Sequence, residues 1–432
     1  MELYTRIILI ILEGIKYRNK ELLLCIIKAE LINSKGYITE LAMSVNPKKY
    51  HSIQKLFTRT KIDIIAIQIE IIITIIKYAK VVNISISIDD SIVYRSRRKK
   101  VPFGHIQYDH SHKKNRSKYV FGHKWLAFGI TFNFNGYQFT LPLYIHLVKE
   151  GVNLISLTIV ILRKIRNIIN KKNLSIEVEI LTDSWFARER LILKAKNKFK
   201  FSVITMARSD LALYKIPDIP KKKKRGRPKK YGDKIEPELK NLTEEATIFI
   251  YSKNVKIKYK EEVCKALFLK GEIVKAIWIK FDDSKSMRLI ISTDITLSAI
   301  EIIKRYAKRW DIESMFNELK NRFRFKDIML HTPKNYYQFL YFKTWCFIII
   351  KLSSVSFENK IIAYVKEMLP WRVLKGGYVK ITAGVTKLSL KRIFNTLEID
   401  DFFPKIVKNK SNNYRTPYFT NLKSNMKFDL TG

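Results

Sequence analysis

A phenol, a guanidinium, a carboxylate and an ammonium group lie within one segment of the chain. Residues 298–323 contain no Gly or Pro and begin with Ser, an N-cap residue, which predicts one long helix. The residues that carry this chemistry are Tyr306, Arg309, Glu313 and Lys320. At 3.6 residues per turn they fall within an arc of roughly 60°, a face suited to a phosphate backbone beside a metal ion. The alternative is an exposed helix with ordinary pairing of Arg309 and Glu313.

Two further carboxylates follow predicted strands. Alternating Ile and Ser at 84–88 predict a strand that ends at Asp89-Asp90-Ser91, and a strand at 175–181 leads into Thr182-Asp183-Ser184. Asp90, Asp183 and Glu313 then supply three carboxylates from three elements. Phosphodiester chemistry by two Mg²⁺ (or Mn²⁺) ions needs such hard oxygen ligands. Strand alternation alone puts Asp89 on the serine face and Asp90 on the isoleucine face, and by itself favours Asp89.

The net charge indicates a polyanionic partner. The 432 residues include 82 Lys and Arg and 39 Asp and Glu, a formal charge of +43, and 47% hydrophobic residues are enough for a folded core. A field this positive favours DNA or RNA over the substrates of an ordinary metabolic enzyme, although A+T-rich coding is an alternative source of lysine. Three scattered cysteines and no long uninterrupted apolar run predict a reducing compartment, in the cytoplasm beside the nucleoid, or the nucleus of a eukaryotic host.

The order of elements predicts a mixed α/β protein. Short helices at 21–33, 38–45, 52–59 and 62–80 resemble a helix-turn-helix domain or another small helical bundle. Three antiparallel strands and then alternating helices and strands predict an RNase H-like core. The predicted segments are a helical, DNA-binding domain at 1–80, the first part of the core at 81–208, a basic loop with a β-rich insertion at 209–290, the last part of the core at 291–350, and a helical region with a basic tail at 351–432.

The loop at 217–237 carries a second DNA-binding signal. Its centre reads Arg225-Gly226-Arg227-Pro228, which resembles the core of an AT-hook, where an extended backbone lets arginines enter a narrow minor groove. A solvated linker or a targeting signal is the alternative. His123 lies in a histidine-rich stretch expected near DNA or in an ordinary loop. Trp125, Trp185 and Trp310 suit core packing or stacking on an unpaired base, and Trp185 is the best stacking candidate because it closely follows Asp183.

These motifs together resemble the insertion-sequence DDE transposases with a Y-R-E-K signature. The segment Tyr306-x2-Arg309-x3-Glu313-x6-Lys320 has that family's spacing at all four positions. The stretches Ile88-Asp89-Asp90-Ser91 and Leu181-Thr182-Asp183-Ser184-Trp185 resemble its two aspartate motifs, with Ser91 where the family more often has Thr. The resemblance runs from about Ser85 to Arg324 and favours Asp90 over Asp89 as the first catalytic aspartate.

The resemblance implies a function and a set of roles. Asp90, Asp183 and Glu313 would bind two divalent metal ions, and Tyr306, Arg309 and Lys320 would hold DNA phosphates. The reaction would be cleavage at transposon ends followed by attack of the freed 3′-OH on target DNA. The partners would be double-stranded terminal inverted repeats, target DNA and a second copy of the chain. The alternatives are a nuclease or resolvase with the same core, and a DNA-binding protein derived from a transposase that does not cut.

Overall fold

A mixed β-sheet carries Asp89 and Asp90 on one strand, and another of its strands ends just before Asp183. It is seen in a computed structural model that describes residues 2–96, 101–110, 117–217, 229–236, 242–251, 253–282 and 286–396. The strands are β1 Asn83–Tyr94, β2 His105–Tyr108, β3 Tyr119–Phe134, β4 Tyr137–Val148, β5 Glu177–Thr182, β6 Ser202–Ala207, β7 Leu213–Tyr214, β8 Lys234–Ile235, β9 Glu244–Ile250, β10 Lys253–Ala266, β11 Glu272–Phe281 and β12 Arg288–Ser292.

The helices lie before, between and after these strands. They are α1 Leu3–Gly14, α2 Lys20–Ile32, α3 Ile38–Val45, α4 Tyr50–Thr58, α5 Ile64–Tyr78, α6 Leu154–Lys171, α7 Glu189–Leu193, α8 Ala299–Ala307, α9 Asp311–Asn317, α10 Pro333–Ser356, α11 Glu358–Met368 and α12 Ala383–Thr396. The four helices predicted before residue 80 are confirmed within two residues at each end, and α1 precedes them.

The strand order confirms the RNase H-like core. Five strands lie side by side as β4-β3-β1-β5-β6, with β3 antiparallel to β1 and β4, and with β1, β5 and β6 parallel. The β3–β4 hairpin turns at Asn135 and Gly136, as predicted, and both residues have positive φ angles, of 50° and 78°. One prediction is wrong: β1 does not end at Asp89-Asp90 but continues through both residues to Tyr94, because β3 pairs with it along that length.

The β-rich insertion extends this sheet. Strand β12 pairs with β6, and β11 and β10 follow in antiparallel order, so the sheet continues without a break from the core. Apolar side chains of β9 and β10, such as Ile248 and Ile257, pack with Ile302 and Ile303 of α8. The insertion therefore covers the helix that begins the predicted Y-R-E-K segment.

Helix α10 is the central support of the helical part. Helices α1, α2, α4, α5 and α12 all contact it, and one continuous apolar cluster joins the N-terminal helices, α10 and the sheet. The helices predicted as a separate domain thus share their core with the rest of the chain. By length and composition α10 is apolar enough to cross a membrane, but 78% of its most apolar window is buried inside the protein.

A fully buried ion pair connects α2 to α10. The Lys343 Nζ atom lies 2.6 Å from Glu30 Oε1, with both side chains at 0% exposure, and it also donates to the Lys35 carbonyl at 2.8 Å. Lys387 of α12 is close enough that Glu30 raises its pKa, although burial, the larger effect, lowers that pKa to about 8. Removing one charge from such a group leaves the others uncompensated in an apolar interior.

We expect Lys343→Met to lower the free energy of unfolding by about 3–5 kcal/mol, because Glu30 then remains charged and buried. The double variant Glu30→Leu/Lys343→Met is expected to recover only part of this loss, since apolar side chains of similar volume replace the pair while Lys387 loses the favourable charge of Glu30. Urea denaturation of the full chain, followed by circular dichroism, measures both. Equal stability of the single variant and the unaltered protein would contradict the importance of this pair.

Candidate active site

The pairing register of two parallel strands brings Asp89 beside Asp183. Ser85 lies opposite Glu179 and Ser87 opposite Leu181, and continuing this register by two residues places Asp89 opposite Asp183. Residues in register on neighbouring strands face the same side of a sheet, and the Ser85 hydroxyl donates to Glu179 at 3.2 Å on that side. The negative charge of Asp183 also raises the pKa of Asp89. These two carboxylates therefore share one face.

Asp90 lies on the opposite face of β1. Its Oδ2 atom is 3.2 Å from the Nζ atom of Lys124, which belongs to β3. Alternation along β1 groups Asp90 with Ile88 and Ile92, away from the face of Asp89. The aspartate beside Asp183 is thus Asp89, and not Asp90 as the resemblance implied.

The predicted long helix is continuous but irregular. Helix α8 begins with a capping box in which the Ser298 hydroxyl accepts from the Glu301 backbone N–H and the Glu301 carboxylate accepts from the Ser298 N–H. A 3-10 turn at Lys308–Trp310 leads into α9, and a π-helical turn at Glu318–Arg322 follows it. These changes of winding alter the spacing on which the predicted 60° arc depends, because that arc assumes 3.6 residues per turn.

Arg309 connects two of the carboxylates. Its Nη2 atom donates to Glu313 Oε1 at 2.8 Å, and its Nη1 atom lies 3.6 Å from Asp89 Oδ2. The Tyr306 ring is buried beside it, and burial raises the pKa of Tyr306 to about 12. The guanidinium of Arg309 is therefore a buried positive charge shared by Asp89 and Glu313.

Lys320 is held against the same strand. Its Nζ atom donates to the Ser91 hydroxyl at 2.5 Å and to the Ile92 carbonyl at 2.9 Å. Burial lowers the pKa of Lys320 to about 8, and the charge of Asp89 opposes that shift. All four signature residues thus cluster around β1 and the end of β5, but Lys320 and Tyr306 are more enclosed than a solvent-exposed phosphate-binding face would require.

The carboxylates form an electrostatically costly group. Burial raises the pKa of Asp89 to about 7, Arg309 lowers it, and Asp183 and Asp90 raise it further. Carboxylate oxygens are the ligands that Mg²⁺ and Mn²⁺ prefer, so the donor atoms of Asp89, Asp183 and Glu313 suit such an ion in kind. Among the residues that the structure describes, no three His, Cys, Asp or Glu side chains are already arranged to hold one metal ion.

Aromatic side chains surround this group. Trp185 and Trp310 are exposed, so the core packing that was one of their two predicted roles is not observed, whereas Trp125 is buried against Phe325. Tyr251, at the β9–β10 turn, places its ring 6.3 Å from that of Trp310. Burial raises the pKa of Tyr251, Arg309 opposes that shift and Glu313 adds to it. Sequence reasoning missed Tyr251, and its only local signal was an aromatic residue at a hairpin turn.

His123 and the two arginines of the basic loop were also predicted to contact DNA, and the structure describes only His123. His123 is buried, and Arg95 Nε donates to its Nδ1 atom at 3.2 Å. Burial lowers the pKa of His123 to about 3, so the ring is neutral and lies in the core, not at a DNA-facing surface as predicted. Arg225 and Arg227 lie outside the described residues.

The raised pKa of Asp89 predicts a pH-dependent effect of Asp89→Asn. The carboxyl titrates near 3.8 in the unfolded chain and near 7 in the folded protein, so its neutral form is favoured by folding. That contribution is present below the lower value and is lost as the pH rises towards 7. We expect Asp89→Asn to become more stable than the unaltered protein over this range, by on the order of 4 kcal/mol at neutral pH, since each pKa unit corresponds to about 1.4 kcal/mol and the pKa of Asp89 rises from 3.8 to about 7.

Chemical denaturation at a series of pH values measures this difference. A stability difference that stays constant across the range, or that falls as the pH rises, would contradict a buried Asp89 carboxyl with a raised pKa.

Comparison with known proteins shows the family to which this chain belongs. A search of the curated proteins finds no match. The model of the family described as Transposase DDE domain matches residues 88–349. That range includes Asp89, Asp183 and the whole segment from Tyr306 to Lys320, and it covers more than half of the chain. This protein therefore belongs to the family of transposases with a DDE domain.

Proposed function

We propose that this chain cleaves DNA at the ends of a transposon and joins the freed 3′-OH to target DNA, in a reaction that needs divalent metal ions. The observation that carries the proposal is the pairing of β1 with β5, which sets Asp89 beside Asp183, together with Arg309, which contacts both Asp89 and Glu313. Asp89 on β1, Asp183 just after β5 and Glu313 on α9 supply three carboxylates in a chain of net charge +43, and Arg309 links the first to the third. Such a surrounding field attracts a polyanionic substrate to an acidic centre.

We assign the metal-binding role to Asp89, Asp183 and Glu313. When bound, Mg²⁺ or Mn²⁺, as a pair of ions, would activate the attacking oxygen and stabilise the leaving oxygen of the phosphodiester. Asp183 is held for this role by the backbone N–H groups of Trp185 and Phe186, which donate to its Oδ1 atom at 3.0 and 3.2 Å. Those bonds fix one carboxylate oxygen and leave the second available as a ligand.

The basic signature residues have distinct parts in this proposal. Arg309 lies nearest the carboxylates and is the candidate to hold the phosphate that is cut. Lys320 fixes β1 through Ser91 and adds positive charge to the site. The buried ring of Tyr306 packs beside Arg309 and positions it, and so its contact with DNA would be indirect. Exposed Trp185 remains the candidate for stacking on a base near the cut.

Double-stranded DNA is the proposed partner of the N-terminal helices. On α4 the exposed side chains of His51 and Lys55 are four residues apart, and Arg59 follows the helix at the same spacing. This row lies on one side of the helix and can reach phosphates or bases of a duplex. Terminal inverted repeats bound by two copies of the chain, in the cytoplasm or on the chromosome, complete the proposal.

Substitution of the two neighbouring aspartates tests the assignment. Asp89→Asn is expected to reduce metal-dependent cleavage of a DNA carrying the element's ends by about a thousandfold or more, because it removes a ligand from the reacting centre. Asp90→Asn, which changes the same charge on the opposite face of β1, is expected to keep cleavage within about tenfold of the unaltered protein. Gel analysis of labelled products with Mg²⁺ and with EDTA measures both.

Glu313→Gln separates cutting from binding. It is expected to abolish cleavage while the affinity for the end DNA stays within a few-fold, since the contacts to phosphates are made by basic residues. Cleavage without joined products would indicate a nuclease or resolvase. Tight binding without any metal-dependent cleavage would indicate a DNA-binding protein derived from a transposase. Loss of cleavage in Asp90→Asn and not in Asp89→Asn would reverse the assignment of the first ligand.

A further inference from the structure

Exposed apolar side chains cluster at the end of the sheet formed by β2. They are Ile106, Tyr108 and Tyr119, with exposures of 49%, 40% and 65%, and we call them the β2 platform. The Tyr108 and Tyr119 rings lie 5.6 Å apart at an angle of 79°, and the Tyr108 ring also contacts His110 at 4.8 Å. Aromatic rings that pack on one another and still present this much surface to solvent are typical of an interaction site.

The β2 platform lies on the face of the sheet that carries Asp89. Tyr108 lies opposite Tyr119 in the β2–β3 pairing, and Asp89 lies opposite Ala127 in the β1–β3 pairing. Tyr119 and Ala127 are eight residues apart on β3, an even number, and so they face the same side. At roughly 3.4 Å per residue the β2 platform is about 27 Å from the candidate active site along the strand.

The sequence on either side of β2 is strongly basic. Residues 95–118 include nine Lys and Arg and one acidic residue, and of these, residues 97–100 and 111–116 lie outside the part of the chain that the structure describes. That acid, Asp109, is buried, and its Oδ2 atom accepts a hydrogen bond from the Tyr94 hydroxyl at 2.5 Å. Among the described residues of this segment, no exposed negative charge therefore repels an anionic partner.

We propose that the β2 platform binds a single strand of DNA, with unpaired bases stacked on Tyr108 and Tyr119. Aromatic faces combined with positive charge are what a single strand needs, because its bases and its phosphates are both accessible. A duplex keeps its bases paired and stacked, so it would use the positive charge but not the aromatic faces. The inference rests on the proposed function in one respect, that DNA is the substrate of this protein.

The test compares single-stranded with double-stranded DNA binding by the full chain. The variant Tyr108→Ala/Tyr119→Ala is expected to lower the affinity for a fluorescein-labelled oligothymidylate by about tenfold or more, since each stacked base contributes substantially. Its affinity for a labelled duplex of the same length should change less than about threefold. The variant Tyr108→Phe/Tyr119→Phe retains the aromatic faces and should bind like the unaltered protein. Tyr378→Ala, at a tyrosine of similar exposure, 62%, is the matched control.

Photocrosslinking keeps the proposal testable if the alanine variant folds poorly. The unaltered protein is irradiated with an oligonucleotide that contains 5-iodouracil, and the crosslinked peptides are mapped. Crosslinks at Tyr108 or Tyr119 are expected. The proposal would be overturned by crosslinks that map only to other residues, or by an equal loss of duplex and oligothymidylate binding in the alanine variant. It would also be overturned if that variant bound DNA normally but sedimented differently, which would indicate a second copy of the chain at β2.

Failure of this inference is distinct from failure of the proposed function. A protein that stacks oligothymidylate on these tyrosines but cuts no DNA would retain the β2 platform and contradict the transposase chemistry. A protein that cuts at Asp89 and ignores both tyrosines would do the reverse.

Discussion

The parallel pairing of β1 with β5 is the constraint on which the candidate active site depends. It sets Asp89 opposite Asp183 and fixes the face on which both carboxylates lie. A slip of one residue would turn every side chain of β1 to the other face and bring Asp90 to Asp183 instead. The register is secured by contacts on both faces, because Ile84, Ile86 and Ile88 are buried on one side while Ser85 donates to Glu179 on the other. Burial of the strand on both sides therefore favours this register over a shifted one.

The same pairing creates an electrostatic cost that the Y-R-E-K segment offsets. Asp89 is buried near two other aspartates, and Arg309 is the cation that lies between it and Glu313. Lys320 approaches from further along β1 and bonds to Ser91. The segment therefore contributes both a carboxylate and the positive charge that stabilises its neighbours. The β9–β10 hairpin fixes the position of this segment because it packs on α8. The winding of the segment then changes at the 3-10 turn before α9.

Helix α10 makes the remote helices part of the same structure. On the sheet side the hydroxyls of Tyr337 and Tyr341 accept from the backbone N–H groups of Leu147 and Ile145 in β4. On the opposite side Lys343 pairs with Glu30 of α2. Near the end of β1, Arg95 donates to the Tyr336 hydroxyl at 3.0 Å. One buried helix thus connects the strand that carries Asp89 to the helices proposed to bind DNA.

Local pattern in the sequence was sufficient for most elements, for the fold class and for the general family. Hydrophobic period, the Asn135-Gly136 turn and the Ser298 cap predicted helices, hairpin and fold class. The motifs between Ser85 and Arg324 predicted a DDE transposase, and the chain belongs to the family of transposases with a DDE domain. Alternation also placed Asp89 on the polar face of its strand, yet the family resemblance favoured Asp90. The neighbours of the two aspartates came only from tertiary pairing, because Asp89 lies beside Asp183, almost a hundred residues later in the chain, whereas Asp90 lies beside Lys124 of β3. Contacts between distant segments leave no periodic signal in the sequence. Only the tertiary structure therefore showed that His123 is buried under Tyr336 and that the Tyr251 ring lies near that of Trp310.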